Sequence, residues 1–560
     1  MKRWRIVGLC VLALAVTAGA WSALYGKAWL ERKLRQRLNE VIDRATVEGY
    51  HFHMDSVCTG AIAGDLSLAG VRLDFDTALV DSLRNGTYRY LFSARMDRLL
   101  LRGISYWRLV LRGEFSVERL EVDGPSLRYV VGGEHVGLQE PFGRLSAGGS
   151  PAVRLFHADT LVVRNAGCTM QDLSGRWPVM GIEDLDLTVS DLALKAHKAP
   201  SGLRVEAGAI VLGLRLLHAE VGAGYRLRMG PVHLATNGRG SIAQLSLVPS
   251  TADDSTAAIT RTAVTLGRID LRGLDIARSI AYRGLWMDAL DLHDLRVEAR
   301  LDRTLPDPAP RPVELPTAAL QHLGFPLRID TVRVIGGFLH YHERSPMGRW
   351  GDIPFTAMNA TFTHITNEQG TERKAEDLRG SVACTLLGSA GLEAKYDGRL
   401  DGSDAFSFEA DVQDLPFTSL NPLTGPLLQL QVDAGQLHAL HVLMKGDDRR
   451  ARGSMAMTYD GLLVRVSPGT PAEMRHSLFG SIMDDVLRAE HGGGLAGDRQ
   501  RNVAIERDPD RSLLTYIWHF TRAGLSRNLM PAAIERVEQV IRREKGTRRA
   551  QREQRRAARR

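Results

Sequence analysis

Leu327-Arg328-Ile329-Asp330-Thr331-Val332-Arg333-Val334 is the stretch that decides how this chain is read. Its apolar positions are the first, third, sixth and eighth, with an acid fourth. On a helix these positions fall at about 0°, 200°, 140° and 340°, so no single apolar face forms. As a strand the octet is two short alternating runs whose phase slips by one in the middle. A slip of that kind requires a bulge or bend that re-aims the side chains. The same octet recurs at Phe115–Val122, Met180–Leu187 and Leu285–Leu292, with Glu118, Glu183 and Asp288 in fourth place. Allowing alanine adds Ala94–Leu101 (Asp97) and Phe156–Val163 (Asp159). Chance supplies on the order of one strict match at this composition. With looser matches starting at Leu66, Val205, Leu227, Val264 and Ile353, the starts fall roughly 20–28 residues apart, with two longer gaps, a repeat-like spacing.

Around the octets, from about residue 50 to 466, short alternating runs are punctuated by Gly, Asn and Pro, and long helical periodicity is scarce. Val122 leads through Gly124-Pro125 to Tyr129, Val334 through Gly336-Gly337 to Tyr341, and Val163 to Met170. This spacing predicts a strand, a tight glycine turn or bulge, and a second strand. Breaks fall at 132–150, 249–260 and 306–316. Residues 467–510, polar and holding Gly492-Gly493-Gly494, read as a flexible connection.

The two ends differ from the middle. Lys2, Arg3 and Arg5 precede an uncharged run from Ile6 to Gly26, long enough to cross a bilayer, for which about 20 residues suffice. Residues 1–27 are therefore expected to be a membrane anchor. A cleaved signal peptide ending near Ala18-Gly19-Ala20 is the alternative. Basic residues flank the run on both sides, so charge does not set its orientation. Residues 28–48 read as an amphipathic helix through Leu30, Leu34, Leu38 and Val41/Ile42. At the other end, 511–541 reads as C-terminal helices, the first docking on the β body or lying at an interface, the second beginning at Pro531. Residues 542–560 are a basic tail: the last 20 residues hold ten Lys/Arg against Glu544 and Glu553, although the whole chain is only +7. The tail either contacts anionic lipid head groups or is a solvated end. It lacks the interleaved aromatics of a nucleic-acid binder, so no nucleic-acid partner is expected.

Chemistry-bearing motifs are sparse. The cysteines Cys10, Cys58, Cys168 and Cys384 share no metal or disulfide spacing. His51-Phe52-His53-Met54-Asp55 and His340-Tyr341-His342-Glu343 place alternate residues on one strand face, which suits a metal, but neither shows a further ligand. His491-Gly492-Gly493-Gly494 is similar to an esterase oxyanion loop, yet no Gly-x-Ser-x-Gly accompanies it. No phosphate loop or dinucleotide fingerprint is present. The octet acids recur once per unit, whereas an active site is needed once. The expectation is a chain that is not an enzyme, with no catalytic, cofactor-binding or metal residues and no cofactor.

Three stretches carry a family likeness: 100–131 (LLLRGISYWRLVLRGEFSVERLEVDGPSLRYV), 325–343 with 355–367 (FPLRIDTVRVIGGFLHYHE and FTAMNATFTHITN), and 452–466 (RGSMAMTYDGLLVRV). With 502–525 closing the chain, they resemble the AsmA-like family of bacterial envelope proteins, related to the TamB and YhdP group of bridge-like lipid-transfer proteins. The resemblance implies a mainly β fold: an N-terminal transmembrane helix, a long curled, repeat-built β-sheet (a groove or taco) over 50–466, and short C-terminal helices. It further implies an inner-membrane protein, single-pass, with its bulk in the periplasm, serving phospholipid transfer or outer-membrane biogenesis. The expected partners are the inner membrane and phospholipid acyl chains, with anionic head groups at the basic tail. Roughly twenty strands would make a sheet about 100 Å long. Two rivals stand beside it: a non-catalytic structural or adaptor protein of the cell envelope, and a secreted β-solenoid binding carbohydrate, against which the scarcity of aromatics argues.

Overall fold

The computed structural model describes residue 36 and residues 49–59, 64–88, 90–105, 114–132, 155–173, 179–196, 203–221, 224–235, 237–250, 257–306, 308, 312–368, 377–466 and 495–529. The expected anchor (1–27), the amphipathic helix (28–48, save the helical Gln36), the break at 133–150, His491–Gly494, the second C-terminal helix (531–541) and the basic tail (542–560) lie outside the described residues. No helix of the described residues is long and apolar enough to cross a membrane.

The chain is mainly β with short helices, as its alternation predicts. By their contacts the residues cluster into two compact units. The first takes in residues up to Ser250 plus Arg268–Arg283, the second Thr251–Gly267 plus Gly284 onward.

The first unit holds β1 (Tyr50–His53), β2 (Ser56–Thr59), β3 (Leu66–Phe75), β4 (Tyr90–Arg102), β5 (Glu114–Asp123), β6 (Ser126–Val131), β7 (Leu155–Asp172) and β8 (Met180–Ala196). It continues with β9 (Leu203–Glu206), β10 (Ile210–Val221), β11 (Tyr225–Met229), β12 (Val232–Leu234), β13 (Gly240–Ile242) and β14 (Leu245–Pro249). β15 (Arg261–Leu266) belongs to the second unit and β16 (Arg268–Arg272) to the first. Short strands work in pairs: β1 and β2 both line up on β3, β5 and β6 on β4 and again on β7, and β11 and β12 on β10. Each such pair is one long strand broken in the middle.

The second unit contains β17 (Leu285–His293), β18 (Arg296–Asp302), β19 (Leu327–Arg344), β20 (Trp350–Thr366), β21 (Leu378–Leu386) and β22 (Ala390–Gly398). It ends with β23 (Phe406–Pro416), β24 (Leu430–Gly446), β25 (Arg450–Val466) and β26 (Leu495–Glu506). β17 and β18 lie parallel to β19, and from β19 to β26 every neighbouring pair is antiparallel. β26 corrects the reading of 467–510 as connection throughout: Arg450 pairs with Glu506 and Gly453 with Val503, so the polar, glycine-preceded segment ends in a strand.

The octets find one another. Phe115–Val122 lies parallel to Phe156–Val163, with Phe115 beside Phe156 and Val122 beside Val163. Leu285–Leu292 lies in the same way against Leu327–Val334. The ladder skips the fourth position of both partners, Glu118 with Asp159 and Asp288 with Asp330, then resumes in unchanged register. The phase slip is therefore shared across the pair. Glu118, Asp159 and Asp288 are exposed, and Asp330 accepts a hydrogen bond from Arg328 Nε at 2.9 Å.

A second part of the unit lies two residues beyond the octet. Gly103, Gly124, Asn165, Asp294 and Gly336 stand there after five of the six octets, all with φ between +51° and +69° (65°, 61°, 53°, 53° and 68°). This left-handed conformation favours Gly, Asn and Asp, which is what the sequence supplies. At β4 and β5 the two features interlock. A Cβ on Gly124 would come within 2.2 Å of Asp97, and one on Gly103 within 2.5 Å of Glu118. Each octet's acid thus lies on the glycine that follows the other octet. The chain does not reverse at these glycines: β5 and β6 run the same way along β7. The feature is a kink in a continuing strand, not a hairpin turn.

Short helices fill gaps between strands. These are α1 (Thr77–Arg84), α2 (Ile276–Tyr282), α3 (Pro316–Gln321), α4 (Asn421–Leu428) and α5 (Leu513–Leu529). All but α5 are too short to show helical periodicity in sequence.

Candidate functional site: an apolar sheet face

Residues paired across neighbouring strands project from the same face of a sheet. Following the pairs through the first unit gives Phe52, Leu73, Ala94, Leu127, Cys168, Ile182, Leu217, Met229 and Leu245 in one row. The other half of the same strands gives Val57, Leu68, Leu99, Val122, Val163, Leu187, Leu212 and Leu234. Neither row contains a charge. Phe52 packs with Val57, Leu68 and Leu99, so at this end the two rows meet in one apolar surface. The octet's slip has the same effect: Val117, Ala158 and Phe156 from before the acid cluster with Leu101 and Leu120 from after it. Nine strands at the usual spacing carry such a row for about 38 Å.

The opposite face reads differently. His53, Arg72, Arg95 and Ser126 form one of its rows. Arg128, Thr169, Gly181, His218, Arg228 and Ser246 form another. At the octets this face carries an ion-pair network: Arg98 donates to Asp123 at 2.6 Å, Arg119 to Glu121 at 2.6 Å, and Arg164 to both carboxylates at 3.1 Å. The hydrogen bond from Arg119 holds the Glu121 carboxyl below its ordinary range, against the opposing effect of burial and with help from Arg164. Asp123 is lowered in the same way, chiefly by Arg98.

Along the first row no member falls into the buried class; Leu127 is exposed at 38% and the others are half-buried. The two described helices of this unit pack at β4 and β9. Leu79 and Leu83 of α1 bury themselves with Tyr50, Leu91 and Val130 at the strand ends. Among the described residues, both rows therefore stay half-exposed from β7 to β14, while Val189, Leu214 and Val232 beside the second row are buried.

The second unit builds the same kind of row and then covers it. Leu292, Val334, Ala360, Val382, Ala394, Ala410, Val442 and Met455 are paired in sequence. Val382 and Ala394 are half-buried, while Val442 is 2% and Met455 0% exposed. The difference is α5. Tyr516, Phe520, Gly524 and Asn528, one turn apart, make its inner stripe; Phe520 is fully buried in the cluster with Met455 and Met457. A Cβ on Gly524 would meet Met455 Sδ at 2.7 Å, and the Asn528 amide donates to Met455 O at 3.4 Å. α5 thus docks on the β body, the first of the two placements its sequence allowed. Nearer β20, α4 is pinned by Asn421, whose amide exchanges hydrogen bonds of 2.8 and 2.7 Å with the Val432 backbone.

The side chains singled out for chemistry disperse, with one exception. His51 pairs with Asp76 and His53 with Asp55, all exposed. Cys58, Cys168 and Cys384 are free thiols. His340 and His342, however, are joined by Asp352 of β20, the further ligand that sequence reasoning did not find. Its signal is hairpin register: His342 and Asp352 stand opposite each other across the turn at 345–349. Burial first, then the neighbouring His342, holds the His340 pKa below the usual histidine range. No protein-family model and no curated protein matches this chain.

Proposed function

We propose that this protein binds phospholipid acyl chains along its apolar sheet face and serves lipid transfer in a bacterial envelope. The observation that carries the reading is the uncharged double row of the first unit, half-exposed from β7 to β14. An acyl chain needs continuous cover from water, not a shaped pocket, and each buried methylene contributes about 0.8 kcal/mol. Repeated octets supply such cover strand by strand, which accounts for a sequence that is patterned yet poor in motifs. Head groups stay in water at the strand ends. On this reading the sheet curls into a groove, the uncharged run from Ile6 to Gly26 anchors the chain in the inner membrane, the body lies in the periplasm, and the basic tail meets anionic head groups. The resemblance to AsmA-like proteins points the same way.

The test uses the two faces against each other. A photo-crosslinking amino acid is placed in intact cells at Leu187, Leu217 or Met229 on the apolar face, and at Arg226 or Arg228 on the other. After irradiation, mass spectrometry of the purified chain is expected to find phospholipid adducts at the first three positions and none at the last two. Adducts to protein alone, or equal lipid labelling of both faces, would replace this reading with that of an envelope adaptor.

A further inference from the structure

We propose that His340, His342 and Asp352 bind a divalent transition-metal ion, with zinc the best fit, on the polar face of the second unit. The two histidines are alternate residues of β19 and so share a face. Asp352 stands opposite His342 on β20. One carboxylate oxygen, Asp352 Oδ1, is 3.7 Å from His340 Nε2 and hydrogen-bonded to His342 Nδ1. The two imidazole rings lie side by side, tilted by 43°, with centroids 3.8 Å apart. The three ligand atoms lie within 4.8 Å of one another.

That spacing suits zinc. Metal–nitrogen and metal–oxygen bonds of about 2.0–2.2 Å at tetrahedral angles put ligand atoms about 3.4 Å apart, and water completes a three-ligand site. The His340–Asp352 separation is near this already. The His342–Asp352 hydrogen bond must open, which a rotation of either side chain achieves.

A hydrogen-bonded pair alone accounts for less. Elsewhere the chain matches one histidine to one aspartate, as at His51–Asp76, His157–Asp159 and His438–Asp460, with the histidines 67%, 27% and 46% exposed. Here one carboxylate receives two imidazoles that are 27% and 19% exposed. Desolvating two imidazoles against each other has no return from a single hydrogen bond, whereas a metal uses both. The ion would clip β19 to β20 from outside the ladder. Glu298 of β18, paired with His340, lies on the same face, where it is ion-paired at 3.4 Å with Arg300, the residue opposite His342.

The experiment titrates Zn2+ into the full, detergent-solubilised chain, without a polyhistidine tag, against a chromophoric chelator. Co2+ absorption reports the ligand geometry, and the unfolding midpoint is followed with and without Zn2+. One Zn2+ per chain is expected, with a raised midpoint and a tetrahedral Co2+ spectrum. His340→Ala, His342→Gln and Asp352→Ala should each weaken binding at least about tenfold and abolish the midpoint shift. Gln is chosen at 342 because its amide still donates to Asp352, so the hairpin keeps its hydrogen bond. His441→Ala, in the more exposed Glu409–Asp411–His441 cluster, should change nothing. Wild-type affinity retained in His342→Gln and Asp352→Ala, or no stoichiometric binding by the wild type, overturns the proposal.

Discussion

The first unit and the second begin from one pattern and finish it differently. Both lay apolar residues side by side across strands, both carry octets paired in register, and both put charge on the opposite face. In the second unit a helix then removes Met444, Met455 and Met457 from water altogether. In the first, Leu217 and Ile182 stay half-exposed. A sheet can therefore be stabilised by its ladder and its ion pairs while an apolar face stays available, and burial is the part that varies. The lesson concerns what to mutate. The same chemical change should cost stability in one unit and, if the function is as proposed, lipid in the other.

The largest effect should come from removing the cover. Phe520→Ala empties a fully buried ring site, and such losses run at about 3–5 kcal/mol. Denaturant unfolding of the second unit, followed by hydrogen exchange in β24 and β25, should show it. A cost below about 1 kcal/mol would mean that α5 does not close that face. Leu217→Ala in the first unit should cost only about 1 kcal/mol, because the side chain keeps much of its exposure when folded. Leu217→Asp should add little further destabilisation yet remove the lipid crosslinks expected at neighbouring Met229. Equal costs for Phe520→Ala and Leu217→Ala would erase the distinction between the units.

The first unit also carries an ion-pair network on its polar face. Glu121 and Asp123 have carboxyl pKa values lowered on folding. Their contribution is therefore present above the unfolded pKa and is lost as pH falls through the folded one. Acid unfolding of β4, β5 and β7 should set in below the ordinary glutamate value of 4.5. Glu121→Gln should be less stable at neutral pH and show a shallower acid limb, read by hydrogen exchange across a pH series. An unchanged limb would show that the network is solvated and contributes nothing.

Much of this was legible in the residues. The octet's broken alternation gave strands with a slip, and its repetition gave a sheet rather than a site, with the acids at the exposed kink. The rows themselves were not legible, because they depend on register between strands far apart in sequence. Val122 meets Val163 only because both octets enter the sheet in parallel. The kink residues at 103, 124, 165, 294 and 336 were within reach: each is Gly, Asn or Asp two places past an octet. Strand β26 was hidden by its composition, since Asp498, Arg499, Gln500 and Arg501 look like a loop until β25 offers them a ladder. Asp352 was hidden for a related reason: only the hairpin turn brings it to His342.

The smallest expected effect tests the outer side of the covering helix. Leu514 is 73% and Trp518 48% exposed, one turn apart and on the side away from Tyr516 and Phe520. A side chain that stays in water on folding loses little when replaced, so Leu514→Ser and Trp518→Ala should each shift stability by no more than about 0.5 kcal/mol. The contrast lies within one helix: Phe520 and Trp518 are both large aromatics, two residues apart, and only one is out of water. Should Trp518→Ala cost as much as Phe520→Ala, α5 would be covered on both sides. The contrast between the two sides of α5 would then be gone.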